Sequence, residues 1–359
     1  TFISSSQLSV VFEIELEMGT SLRVFTTMAK DIRFYTGMEF NVFLADGKQN
    51  KVRIVFERID RNPVSLKEII ETPEFQNSAP LAIAAGRKKT GEPLIIDLDD
   101  VPNLFIYGST GAGKSVFIDD IILSLLFKNE PEDLRLVLVD VKGVDLRFYN
   151  GIPHMHCPAI GERAEAVKVL ADVLGEIERR NSLFVQHKVR SLESYNALPD
   201  VEKLPKIVFI IDEYYSLTTI PFSGEVLSDD GSIDYRDEIK DIEMLVASIA
   251  SRGRACGVRM VIATQVLSRA DVGAEIQANF HMYVRFSAYG HPVNPKSYKK
   301  DLKNTHHKLL GSGDMLVERV MGMKNEKIST AHAQACYVDP GDVENVVRNI
   351  NSLFRDGKD

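Results

Sequence analysis

A chain of 359 residues with 44% hydrophobic and 26% charged side chains can bury at least one full core, which excludes a disordered class and leaves room for two domains. No run of about 18 apolar residues occurs and no charged-then-apolar segment opens the chain, so the sequence predicts neither a membrane span nor a signal segment in this stretch. The 3 cysteines are scattered and fit neither a disulfide framework nor a CxxC metal motif; the net charge of -8 argues against a broadly basic nucleic-acid coat while leaving room for a local basic lining.

In chain order, "LSVVFEIELE" and "NKVRIVFERI" alternate apolar and polar residues as strands do, around "VFTTMAKDIRFYTG" with mixed helical spacing. These predict a small α+β domain over residues 1–75. "NPVSLKEIIETPEFQNSAP" opens with turn chemistry and continues as a short amphipathic helix that connects to the next unit.

Over residues 76–359 the grain changes to short apolar runs alternating with helical patterns, as in a parallel sheet covered on both faces. The runs are "NLFIYG", "LRLVLVDV", "KIVFIID", "VRMVIATQ" and "FHMYVRFS". Helices are expected from Val116 to Phe127, over "ERAEAVKVLADVLGEIERRNSLFVQHK", and at Ile239, Ile242, Leu245, Val246 and Ile249. "TTIPFSGEVLSDDGSIDYRD" reads as a long loop between strand and helix.

The stretch "GSTGAGKS" matches GxxxxGK[ST] through Gly108, Gly113, Lys114 and Ser115, between an apolar strand and a helix pattern. Glycines let the backbone curl so that its N–H groups face an anion, and the positive end of the following helix faces the same point. Gly108, Ser109, Thr110, Gly111, Ala112, Gly113, Lys114, Ser115 and Val116 are therefore the expected nucleotide cradle. Lys114 would reach the β and γ phosphates, and the Ser115 hydroxyl would hold Mg²⁺.

Hydrolysis needs a carboxylate for the metal and a group that activates water. "KIVFIIDEYYS" supplies Asp212 for the first and Glu213 for the second, at the carboxyl end of a strand where open α/β sheets gather their ligands. Gln265, ending the next strand after Thr264, is placed to sense the γ-phosphate. Glu213 favours an ATPase over a nucleotide-dependent scaffold that turns over little ATP. His154, His156 and Cys157 in "IPHMHC" lack a further ligand cluster and are not read as a metal site. Tyr214 and Tyr215 are open between packing on adenine and packing on a subunit edge.

With these residues in view, "GSTGAGKSVFIDDIILSLL", "LVLVDVKGVDLRFYNGIPHM", "LPKIVFIIDEYYSL", "SRGRACGVRMVIATQ" and "LLGSGDMLVERV" together resemble the motor of FtsK/SpoIIIE DNA translocases. The resemblance extends over nearly the whole chain. It implies an α/β fold, a RecA-like P-loop ATPase core with a smaller N-terminal α+β domain, assembled as a homo-oligomeric, hexameric ring that pumps double-stranded DNA at the expense of ATP and Mg²⁺. It also places Asp140 and Lys142 at the family's "DPK" block, with Val141 replacing the proline.

A motor of this kind is completed by an arginine from the neighbouring subunit. Arg254 is the first choice, followed by Arg252 and Arg285. DNA contacts of such rings read phosphate rather than bases, and Ser268 and Arg269 occupy one expected position. Against DNA stand Val266, where the family commonly has arginine, and an insertion with Glu225, Asp229, Asp230, Asp234, Asp237 and Glu238 against Arg236. Protein export, as by the ATPases of type VII secretion, is the alternative cargo. The chain begins at Thr1 and stops at Asp359, where the resemblance would place an orientation-reading module, so either it is a piece of a longer protein or this relative lacks that module; it is read as a cytoplasmic motor portion whose membrane anchor, if any, lies outside it.

Overall fold

The computed structural model describes residues 2–355, apart from 6–8, 18, 22–23, 25–26, 28–30, 32–33, 36–39, 45–49, 58–62, 142–144, 220–234, 266–273, 288–308, 310–311 and 322–326. Lys142, Val266, Ser268, Arg269 and the acids of the insertion from Glu225 to Asp234 lie outside the described residues, as do the side chains of Arg236, Asp237 and Glu238.

The N-terminal strands β1 (Phe2–Ser5), β2 (Ser9–Glu15), β3 (Phe40–Leu44) and β4 (Lys51–Glu57) form an antiparallel sheet in the order β1-β2-β4-β3. Val52 and Ile54 are buried on one face of this sheet, and Val11 and Val55, directly opposite each other in the register, are buried on the other.

Packing of the larger unit begins at β5 (Val64–Ser65), which pairs with the C-terminal strand β14 (Lys327–Tyr337) through Val64 and Cys336. The single connector helix expected from sequence is two, α1 (Leu66–Ile70) and α2 (Pro73–Gln76), because Thr72 caps the second with its side chain and Pro73 occupies its first turn. Leu66, Ile69, Ile70 and Phe75 are buried in the larger core. Residues 64–75, read from sequence as part of the first domain, therefore pack with the second.

The central sheet takes its strands in the order β7-β6-β14-β13-β12-β8-β11-β10-β9. Its parallel half is β9 (Leu134–Asp140), β10 (Lys206–Asp212), β11 (Val258–Thr264), β8 (Asn103–Tyr107) and β12 (Met282–Phe286). These are the apolar runs of the sequence, and β8 and β11 are buried along their whole length, as strands covered on both faces must be. The antiparallel half, β6 (Ala82–Lys88), β7 (Pro93–Asp97), β13 (Asp314–Met321) and β14, was not legible in the sequence.

Helix α3 (Lys114–Lys128) covers one face, where Phe117, Ile118, Ile121 and Ile122 enter the core. Helices α4 (Arg163–His187) and α7 (Tyr235–Arg252) cover the other with Val169, Leu170, Val173, Ile242 and Val246. Each such side chain contributes about 1.5–3 kcal/mol by leaving water. Three short helices, α5 (Leu192–Asn196), α6 (Tyr214–Thr218) and α8 (Ala274–Asn279), and the C-terminal α9 (Pro340–Arg355) complete the described elements. No helix among the described residues is long and apolar enough to cross a membrane.

Candidate nucleotide site

Strand order fixes the site. β11 lies between β8 and β10, so the residues that follow these strands emerge side by side at one edge of the sheet: Gly108, Gln265 and Glu213.

The loop after β8 is tied at both ends. Ser109 donates from its backbone N (2.9 Å) and its hydroxyl (2.8 Å) to Ser287 O, and Ala112 N donates to Ser109 O at 3.2 Å. Gly111 and Gly113 take φ of 76° and 111°, a region closed to ordinary side chains, and let the chain turn straight into α3. Lys114 is buried, and its Nζ donates to Gly108 O at 2.8 Å and Ser109 O at 3.3 Å, so the ammonium lies across the loop. The loop thus brings together a curled backbone, a helix amino end and an ammonium, the combination that binds anions.

Beside it, Asp212 and Asp140 are lateral partners in the register of β10 and β9. Asp212 Oδ1 accepts from Glu213 N at 2.8 Å. Burial raises the Asp212 pKa to about 6; the charges of Glu213 and Asp140 push the same way, while the Glu213 N–H and Lys114 oppose. A buried carboxylate held among other carboxylates is a suitable anchor for a divalent cation, which would reverse that balance. Asp140 is engaged differently: its Oδ2 accepts from Asp145 N (3.1 Å) and Leu146 N (3.4 Å), which folds the chain after β9 into a 3₁₀ turn.

Glu213 stands at the start of α6 with φ 55° and ψ 46°, a left-handed conformation uncommon for a side chain of its size. Its Oε1 accepts from Gln265 Nε2, and Gln265 Oε1 accepts from Thr110 Oγ1 at 2.8 Å. The phosphate loop, the end of β11 and the acidic pair are thus joined side chain to side chain.

A further contact escaped sequence reasoning. Before β13, Gly313 N donates to Ala112 O at 2.8 Å and Ser312 Oγ donates to Gly111 O at 3.0 Å, so Ser312 and Gly313 brace the tip of the loop. The Phe286 ring meets Phe117 edge-on at 5.6 Å behind it. The signal lay in "LLGSGDMLVERV", one of the blocks that carry the family resemblance.

The arginines separate. Arg252 and Arg254 precede β11 and therefore lie at the opposite edge of the sheet, roughly 20 Å from Gln265 at about 3.3 Å per residue. Arg252 pairs with Glu178 at 3.3 Å, whereas exposed Arg254 has no ion pair among the described residues. Arg285 sits beside Tyr107 at the loop edge, half-buried, where its charge moderates the burial-raised pKa of Glu318. Tyr214 is buried in the core and Tyr215 is partly exposed. His154 is buried with Nε2 2.9 Å from Asn129 O.

A mixed sheet whose parallel half carries a phosphate loop after one strand, an acidic pair two strands away and a polar strand end between them defines a P-loop ATPase fold of the RecA-like type. The FtsK/SpoIIIE family pattern matches residues 65–269, and the chain belongs to that family. It is 33% identical to the DNA translocase FtsK of Clostridium tetani over 94% of this chain and 43% of the relative. It is 31% identical to the DNA translocase SftA of Bacillus subtilis over 95% of this chain and 34% of the relative. The chain thus spans less than half the length of either. Among solved structures, the pCW3 conjugation coupling protein TcpA with ATPγS superposes with a TM-score of 0.65 at 21% identity, covering 98% of this chain and 92% of that one. The type VII secretion ATPase EccC of Thermomonospora curvata superposes at 0.60 and 18% identity, covering 80% and 34%. These two likenesses bear on the fold.

Proposed function

We propose that this chain is the ATP-hydrolysing motor portion of a ring that moves double-stranded DNA. The observation that carries the hydrolytic part is the convergence of Lys114, Asp212, Glu213 and Gln265 on one sheet edge. Membership of a family whose relatives are named DNA translocases supports the cargo.

In this reading residues 108–116 cradle the phosphates of ATP, Lys114 neutralises them, and Glu213 takes a proton from the attacking water. Ser115 and Asp212 would hold Mg²⁺, which when bound would offset the negative charge that develops on the phosphates. Arg254 reaches the site of the next copy. Its place at the far edge supports a role in trans, since its own phosphate loop is out of reach. Six copies is the expected assembly, with a seam between the small domain and the motor near residues 57–64, earlier than residue 75.

Displacement of a third strand from linear duplex DNA tests this: release that requires ATP and fails in Lys114→Ala supports a pump, and failure of release in the active wild type counts against it. The acidic residues 225–238 favour a second reading, a protein cargo, in which duplex DNA leaves ATP turnover unchanged.

A further inference from the structure

Glu213 joins two elements that are fixed in different ways. Behind it, Asp212 ends β10 and is held by the ladder with β9. Ahead of it, α6 has only 5 residues, too few for a helix to hold itself in water, and the carbonyls of its last turn need partners from outside the helix. The junction between them is the left-handed backbone of Glu213, a conformation that a side-chain-bearing residue keeps only where its surroundings dictate it. The core supplies part of that dictation by taking Tyr214 and Leu217. The rest comes from a side chain on another helix.

Arg163, the first residue of α4, reaches the carbonyl end of α6: its Nε donates to Leu217 O at 3.0 Å, and its Nη2 donates to Ser216 O at 3.3 Å and to Thr219 O at 2.6 Å. A guanidinium is rigid and forked, and its charge meets the negative end of the helix. Arg163 is itself anchored at the sheet, since just before α4 Ile160 O accepts from Asp140 N at 2.8 Å, and Asp140 is the lateral partner of Asp212. Within α6, Ser216 N donates to Glu213 O at 2.8 Å, so a hold on the far end of the helix is passed to the Glu213 main chain. We propose that Arg163 is a positioning residue for hydrolysis: by clamping the carbonyl end of α6 it fixes the backbone of Glu213, and with it the direction from which the carboxylate meets water. The clamp acts through the main chain, whatever partners the two carboxylate oxygens take. The inference rests on the reading of Glu213 as the proton acceptor and adds the residue that aims it.

The test is ATP turnover and ATP binding by the whole chain with Mg²⁺, the first by phosphate release and the second with a fluorescent ATP analogue, well below the melting temperature of each variant. In Arg163→Ala kcat falls about tenfold, as when a reacting group loses its aim without leaving the site, while affinity for the analogue stays within about twofold. Arg163→Lys keeps a cation at the same carbonyls but loses the fork, and kcat falls about threefold. Val173→Ala trims the buried face of the same helix; it lowers the melting temperature and leaves kcat unchanged, which separates aim from stability.

Wild-type kcat in Arg163→Ala, or in Arg163→Lys should the alanine variant not fold, overturns the proposal. So does a loss of kcat matched by an equal weakening of analogue binding, or the same loss of kcat in Val173→Ala. Turnover that is absent from the wild type, or that survives in Glu213→Gln, removes the reading of Glu213 itself and the clamp's role with it. The two failures are thereby told apart.

Discussion

Gly113 and Gly313 meet backbone to backbone: a Cβ on Gly113 would stand 2.9 Å from the Gly313 nitrogen, and Gly313 itself holds φ at 77°. The phosphate loop is therefore shaped from outside as well as by its own glycines. Gly313→Ala forces a left-handed alanine, a penalty of about 1–2 kcal/mol, and places its Cβ 2.5 Å from Gln334 Nε2, which must move aside. Titration with a fluorescent ATP analogue should show affinity weakened about tenfold.

Lys114→Ala and Glu213→Gln should separate binding from chemistry. The first removes a cation facing phosphate and should abolish both ATP binding and turnover. The second keeps shape and hydrogen bonding while removing the proton acceptor. Turnover should fall by about 10²-fold or more with ATP binding preserved, as read by parallel binding and phosphate-release assays. Retained turnover in Glu213→Gln would assign the water-activating step elsewhere.

Sequence and structure agreed where burial is symmetric. β8, β10 and β11 are covered on both faces, so they appear as continuous apolar runs that no other element imitates. β6 "AIAAGRK" and β14 "KISTAHAQACY" carry small and polar residues, and their strand character comes from pairing with each other and with β13. That Lys114, Asp212, Glu213 and Gln265 share one sheet edge was legible because each lies at or just beyond the end of a strand within a compact motif. Ser312 was not, because its contact with Gly111 spans 201 positions of sequence.

Arg254 and Arg252 should differ in mutants. Arg254→Ala should lower turnover by about 10³-fold, the effect expected of a guanidinium lost from a phosphoryl-transfer site, while ATP binding persists. Because the residue would act in a neighbouring copy, mixing Arg254→Ala with Lys114→Ala should recover measurable activity. Arg252→Ala breaks an exposed pair with Glu178 and should cost at most about 1 kcal/mol of stability.

Behind the phosphate loop, α3 carries Asp119 and Asp120. Burial, with a smaller contribution from Asp145, raises the Asp119 pKa to about 6 against the bond from Tyr149 OH at 2.7 Å; burial drives Asp120 up strongly, with the charge of Asp119 adding to it. The folded protein thus binds protons that the unfolded chain releases near the ordinary carboxylate pKa of 3.8, so stability falls as pH rises from there through about 6. Asp119→Asn keeps the acceptor for Tyr149 and removes the charge. Its melting temperature should exceed that of the wild type at about pH 7.5, by an amount equivalent to roughly 2 kcal/mol, and the difference should shrink toward pH 4.

The most direct measurement of a DNA-driven motor is the ATPase rate of the chain with and without linear double-stranded DNA, at low and moderate salt. Contacts with backbone phosphates release counterions, so stimulation by DNA should be strong, should weaken steeply as salt rises, and should vanish in Lys114→Ala. No stimulation at either salt, in a preparation that forms rings, would contradict DNA as the cargo.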